Sequence, residues 1–306
     1  MLIGSRTDAN SGAVQMTLSS LFRLAMLVFV AVTCVVIGDT AGKLLTSRGV
    51  DPVFVAWTRF ALAALILLPF SGLSLRELPN FRDWRVLLRG AFITGGICCI
   101  LVALRTEPTA NVFGAFFIGP VVSYGLAILF LGETPSRSRS VLLMVGFVGV
   151  MLVVKPGFGG SWGMAFALVA GTCYGAYLAM TRTVAGLYRP RFLLMSQLVI
   201  GSVILTPVGL TVGFPDLDIP LGALILLSAF GSAVGNYLLV VASKSAEASL
   251  IAPLVYSQLF SATVAGVLVF GEWPDIYALL GLILIAFSGF GSLVAHRLSV
   301  PAHRST

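Results

Sequence analysis

The chain has 306 residues, of which 58% are hydrophobic and only 10% charged, with a formal net charge of +7. A soluble domain carries about 25% charged residues. This composition, with a mean hydropathy of +1.02, excludes a water-soluble globular protein and describes an integral membrane protein embedded in a lipid bilayer. Nucleic acid is excluded as a partner, because the basic residues lie in short loops between apolar runs, as membrane topology requires.

Taken in order, residues 1–20 read as a polar cytoplasmic tail. The apolar run from Leu21 is too long for the core of a cleaved leader and is expected to stay as a helix. Ten helices follow, each near the ~20 residues that cross a ~30 Å hydrocarbon core. They are expected over Leu21–Leu45, Val53–Phe70, Leu87–Leu104, Ala110–Leu131, Val141–Val154, Trp162–Val184, Phe192–Val212, Leu221–Ser243, Ser249–Phe270 and Ile276–Ala295. The connections are short and leave no room for an inserted soluble domain. Residues 297–306 form a second cytoplasmic tail.

Lysine and arginine set the orientation. Assigning Arg76, Arg82, Arg85 and Arg89 to one loop, the side holding both termini carries 14 basic residues. Lys43, Arg48, Arg105 and Lys155 make 4 on the other side, and Arg59 falls within a span. The excess places both termini in the cytoplasm, and the protein in the inner membrane of a bacterium.

A shift of 139 residues superposes the two halves of the chain. Thr33-Cys34 falls on Thr172-Cys173, Gly96 on Gly235, Arg105-Thr106 on Lys244-Ser245, Gly132-Glu133 on Gly271-Glu272, and Pro135 on Pro274. One offset that unites charged and helix-breaking positions marks an internal duplication, residues 21–155 and 160–296. Five helices per half is an odd number, so the second half enters the bilayer from the opposite face. Inverted repeats of this kind belong to secondary transporters, with the solute site near the midplane between the halves. The fold class is therefore all-α, ten transmembrane helices in two inverted five-helix repeats.

These residues resemble the EamA-type transporters of the drug/metabolite transporter superfamily. The resemblance runs from Leu21 to Ala295. It is carried by Pro120 with Leu131-Gly132-Glu133, by Ala252-Pro253, Tyr256, Gln258 and Gly271-Glu272-x-Pro274, and by Asp39, Lys43 and Arg59 at the ends of the first two helices. It departs from a full duplication at Leu259, which stands where Pro120 maps. The resemblance implies a carrier that moves a small organic solute (an amino acid, cofactor, nucleotide-like metabolite or drug) by alternating access. The alternatives are a channel or a non-transporting membrane scaffold.

Within the spans, polar side chains are costly and mark sites. Asp39 and Lys43 lie four apart on one helical face. Asp39 is the carboxylate best placed for proton coupling, or else an ion-pair partner of Lys43 at the interface. Arg59 can pair with Asp39 or with an anionic solute group. Asn236, Tyr237, Tyr256, Gln258, Tyr174, Tyr177, Asn111 and Phe117 supply aromatic walls and amides for a flat or amphipathic solute. Pro120 and Pro253 interrupt helices. Glu133 and Glu272 end helices beside glycine and are expected to act in structure or gating. Gly171-x3-Gly175 and Gly231-x3-Gly235 are expected to let helices approach closely.

The remaining motifs speak against other chemistries. Four cysteines lie in apolar spans without metal-ligand spacing. Both histidines are C-terminal, so no histidine relay crosses the membrane. No nucleotide-binding motif appears, no cofactor is implied, and an enzyme is not expected. Protons are the candidate coupling ion, and the protein is expected to be a monomer or homodimer.

Overall fold

The computed structural model describes residues 18–106, 109–154, 161–216, 218–271 and 273–299. Its regular elements are helices: α1 Leu18–Ser47, α2 Pro52–Leu67, α3 Trp84–Thr106, α4 Thr109–Phe116, α5 Gly119–Leu131, α6 Arg137–Val154, α7 Trp162–Ala185, α8 Pro190–Gly209, α9 Ile219–Ser245, α10 Ala248–Val255, α11 Gln258–Ala265 and α12 Ile276–Ser299. The pairs α4/α5 and α10/α11 each make one crossing, and among the described residues ten spans are long and apolar enough to cross a membrane. Several ends differ from expectation. The fifth span starts at Arg137 rather than Val141. The third starts at Trp84 rather than Leu87, because Asp83 accepts a bond from Arg85 N (2.9 Å) and caps the new helix.

The inverted repeat is visible in the packing. Helix α1 packs on α9 as α7 packs on α3, while α2–α8, α5–α10 and α6–α12 pair across the halves. The offset of 139 converts the first contact into the second and maps α2–α8 and α6–α12 onto themselves. Two glycines mark the related seams. A methyl group built on Gly235 would lie 2.5 Å from Ala31 O, and one on Gly96 would lie 3.4 Å from Ala170 O. The same offset relates both members of these pairs.

The helix breaks obey the same symmetry. Helix α4 ends at Phe116 and α5 opens at Gly119; α10 ends at Val255 and α11 opens at Gln258. Pro120 explains the first break, since it has no N–H to continue the ladder. The second follows Pro253, one turn earlier. At the far ends, Gly132 (φ 69°) and Gly271 (φ 70°) both take the left-handed conformation that stops a helix. The repeats therefore share their interruptions as well as their spans.

We call the face on which α1 begins the N face and the opposite one the distal face. A strap covers part of the N face. Arg189 binds Glu77 through two bonds of 2.6 and 2.5 Å and also donates to Gly72 O. Tyr188 donates to Asp83 (2.7 Å). These contacts tie the α2–α3 connection to the α7–α8 connection.

Candidate functional site

Three polar assemblies and one aromatic run occupy the interior. The first lies toward the distal face, where α1, α2 and α9 meet. Arg59 Nη1 donates to Asp39 (2.7 Å), Nη2 to Gly38 O (2.9 Å) and Nε to Ser228 Oγ (2.8 Å). Ser228 in turn donates to Gly38 O (3.0 Å). The side chain of Arg59 is 8% exposed and that of Asp39 is 34% exposed. The carboxylate therefore balances a buried guanidinium while remaining about one-third exposed itself. Lys43, one turn along α1, places its Nζ 4.0 Å from the ring centre of Phe270.

The second assembly lies toward the N face, where α3, α7 and α8 meet. Arg89 is fully buried, which corrects its expected place in a loop. The early start of α3 carries it inside. Its Nε donates to Thr181 Oγ1 (2.8 Å) and its Nη1 to Leu193 O (2.9 Å). Its Nη2 donates to Gln197 Oε1 (2.7 Å) and to Tyr177 Oη (3.1 Å). The Tyr177 hydroxyl lies 3.0 Å from Gln197 Oε1 and 3.1 Å from Asn236 Oδ1, and its single proton serves one of the two. The two arginine assemblies are counterparts. The repeat offset carries α1, α2 and α9 onto α7, α8 and α3, and sets Arg89 on Ser228.

The aromatic run links this second assembly to the helix breaks. Tyr177 stacks on Tyr174 (6.2 Å, 24°), and Tyr174 packs on Phe116 (5.1 Å). Phe116 touches Phe117 (5.8 Å), which meets Tyr256 edge-on (6.1 Å, 66°). Phe117 and Tyr256 are equivalent under the offset, so they meet where the two halves are related. The Tyr256 hydroxyl is buried without a hydrogen-bond partner among the described residues.

The third assembly lies at the N face, where most of its bonds join the two halves. Glu133 accepts from Ala248 N (2.9 Å) and Ser249 N (3.0 Å) and so caps α10 in the opposite repeat. Free N–H groups and the helix dipole make this end a favourable place for a carboxylate. The left-handed turn at Gly132 aims Glu133 there. Arg139 adds bonds to Glu247 (2.7 Å) and Ser249 (3.1 Å), and Arg182 donates to Ser243 O (2.9 Å).

The structure thus gathers Tyr174, Tyr177, Asn236, Phe117 and Tyr256 along one path, and it places Asp39 and Arg59 in a separate assembly. Gln258 is buried at the opening of α11, and Tyr237 packs half-buried against the main apolar core. Asn111 belongs to α4, but its side chain lies outside the described residues, as does Glu272. Arg89, Gln197, Thr181 and Phe116 were not singled out by sequence. The polar Gln197 within an apolar span was the available signal.

The close-approach glycines act as expected. A methyl on Gly171 would lie 2.4 Å from Phe116 O, and one on Gly175 would lie 2.4 Å from Gly119 O. They seat α7 directly beneath the break that carries the aromatic run. Cys34, Cys98, Cys99 and Cys173 are free thiols.

Comparison with known proteins places this geometry. The model of the EamA-like transporter family matches residues 23–155 and again 161–294. The chain is 29% identical over 235 residues to a riboflavin transporter of Rhizobium johnstonii, covering 75% of this chain and 77% of that protein. It is 25% identical over 256 residues to an S-adenosylmethionine uptake transporter of Rickettsia bellii, covering 81% and 85%. A solved crystal structure superposes with a TM-score of 0.75 at 15% identity, over 92% of this chain and 99% of that one. That likeness concerns the fold alone.

Proposed function

Because the chain belongs to the EamA-like transporter family, and is thus a small-metabolite transporter, we propose that its solute is a planar heteroaromatic metabolite of the flavin kind. The observation that carries this reading is the aromatic run from Tyr177 to Tyr256, which spans both repeats through a helix break. Flat rings stack on aromatic faces of this kind, and the amide of Asn236 with the Tyr256 hydroxyl offers a few placed polar atoms. The relative named as a riboflavin transporter supports the same class. Riboflavin binding to the purified protein, read by quenching of flavin fluorescence, is expected to be saturable. Tyr174→Ala is expected to weaken it about tenfold. Unchanged affinity in that variant would remove the aromatic run from the site.

The carrier works by alternating access, with the N face cytoplasmic and lying on the inner side of a bacterial inner membrane. The 2.9 and 3.0 Å bonds from α10 to Glu133 hold that face shut. Glu272 is its sequence counterpart for the distal face. Opening the N face requires these bonds to break, so Glu133→Gln, which weakens both, favours the N-open form. A charge-assisted cap is worth about 0.5–2 kcal/mol. A single cysteine at Ser249 is then expected to react several-fold faster with a water-soluble maleimide in the Glu133→Gln background. An equal rate in both backgrounds would assign Glu133 to a static role.

Asp39 is the site of proton coupling, since it joins partial exposure to an ion pair that protonation would break. Asp39→Asn should abolish uptake driven by a pH gradient and leave exchange intact; retained pH-driven uptake would exclude the assignment.

A further inference from the structure

Three arginines are buried among the described residues: Arg59, Arg89 and Arg139. Arg59 has Asp39 at 2.7 Å, and Arg139 has Glu247 at 2.7 Å. Arg89 is the most buried of the three, yet each group it binds is uncharged: Thr181 Oγ1, Leu193 O, Tyr177 Oη and Gln197 Oε1. Hydrogen bonds reach each of its three side-chain nitrogens but do not cancel its charge. Burial of an unbalanced charge is costly. A clamp between α3, α7 and α8 needs only donors and acceptors, and the counterpart clamp at Arg59 carries its own carboxylate. The unbalanced charge therefore calls for a reason beyond clamping.

Its position supplies one. The guanidinium carbon lies 4.8 Å from the ring centre of Tyr177, and that ring stacks on Tyr174 at 6.2 Å. The positive field of Arg89 therefore falls on one end of the aromatic run, inside a low-dielectric bundle where salt does not screen it.

We infer that Arg89 is a specificity-determining residue that selects planar solutes by charge, favouring neutral and anionic forms and rejecting cations. It acts through its field rather than by contact, with Tyr177 between it and the solute. The inference rests on the aromatic run being the solute site. It separates the two solute types named for the relatives, because a sulfonium such as that of S-adenosylmethionine would meet the unbalanced guanidinium, whereas an uncharged flavin would not.

The test uses three isoalloxazines that share one ring system and carry an N10 chain of similar length ending in a carboxylate, a hydroxyl or an ammonium group. Affinities are read by flavin fluorescence on the purified full-length protein. The carboxylate form is expected to bind about a hundredfold more tightly than the ammonium form, because the two differ by two charge units and each unit charge ~10 Å away changes affinity about tenfold at an effective dielectric constant of ~20. Gln197→Glu places a carboxylate on Arg89 and balances its charge without emptying the site, so the ratio should fall to about one. Arg89→Lys keeps the charge and should keep the ratio. The same ratio in the wild type and in Gln197→Glu would overturn the inference, as would no discrimination in the wild type. Failure of all three flavins to bind the folded protein would instead overturn the flavin reading, and the inference with it.

Discussion

Replacement of Gly175 by valine is expected to cost about 3 kcal/mol or more and to lower the melting temperature of the detergent-solubilised protein by several degrees. A Cβ at this position would lie 2.4 Å from Gly119 O and 2.8 Å from Val122 Cβ. Overpacking of a close-packed seam costs about 1–3 kcal/mol when side chains can yield. Here the obstacle is backbone, at the helix break between α4 and α5, and it can move only with the whole break. The change should also weaken solute binding, because Phe116 and Phe117 ride on that segment. Gly125 supplies the control. It lies on α5, and a Cβ there meets nothing within 4 Å. Gly125→Ala should be neutral or slightly stabilising through helix propensity. Equal melting temperatures for the Gly175→Val and wild-type proteins would show that α7 does not pack on the break as described.

The second large effect concerns the ion pair in the distal assembly. Asp39→Ala leaves Arg59 buried without its carboxylate, held only by Gly38 O and Ser228 Oγ. Removing one member of a fully buried pair costs about 3–5 kcal/mol. Asp39 is about one-third open to solvent, so a loss of about 2 kcal/mol is expected. Arg59→Leu removes the charge that needs balancing, and the double variant should be more stable than Asp39→Ala alone. A double variant whose loss equals the sum of the single losses would show that the pair is not coupled.

Both predictions depend on features that were unequally legible in the sequence. The duplication was plain, because Gly132-Glu133 and Gly271-Glu272 with their prolines fix one offset across the chain. The close-approach glycines of α7 and α9 were also legible from their four-residue spacing. The symmetric helix breaks were not. Pro120 announces one from just after the break and Pro253 the other from just before it, with Leu259 standing where Pro120 maps, so no shared local signal marks the two breaks as equivalent. The contact of Glu133 with α10 spans more than a hundred residues and depends on the left-handed turn at Gly132, which fixes its direction only in three dimensions.

Arg89 shows how local reading fails at a membrane boundary. Arg82, Asp83 and Arg85 precede it closely, so the polar run reads as extending through position 89. Asp83 ends that run as a helix cap, and the face of α3 that carries Val86 and Arg89 turns into the bundle. The cap was visible in the sequence as an aspartate before an apolar helix. Treating it as the start of α3 would have placed Arg89 inside. The sequence offers Asp39 both Arg59 and Lys43 as partners, and the choice between them depends on the relative rotation of α1 and α2.

The most direct test of the carrier reading is counterflow in proteoliposomes. Vesicles containing the purified protein are loaded with excess unlabelled riboflavin and diluted into a trace of labelled riboflavin. A carrier with one site open alternately to each face should accumulate label transiently above its equilibrium level, saturably, and far more slowly in Tyr174→Ala. Label that only equilibrates, with no overshoot, would indicate a channel. No protein-dependent entry of riboflavin by folded protein would contradict the assignment of the aromatic run as a flavin site.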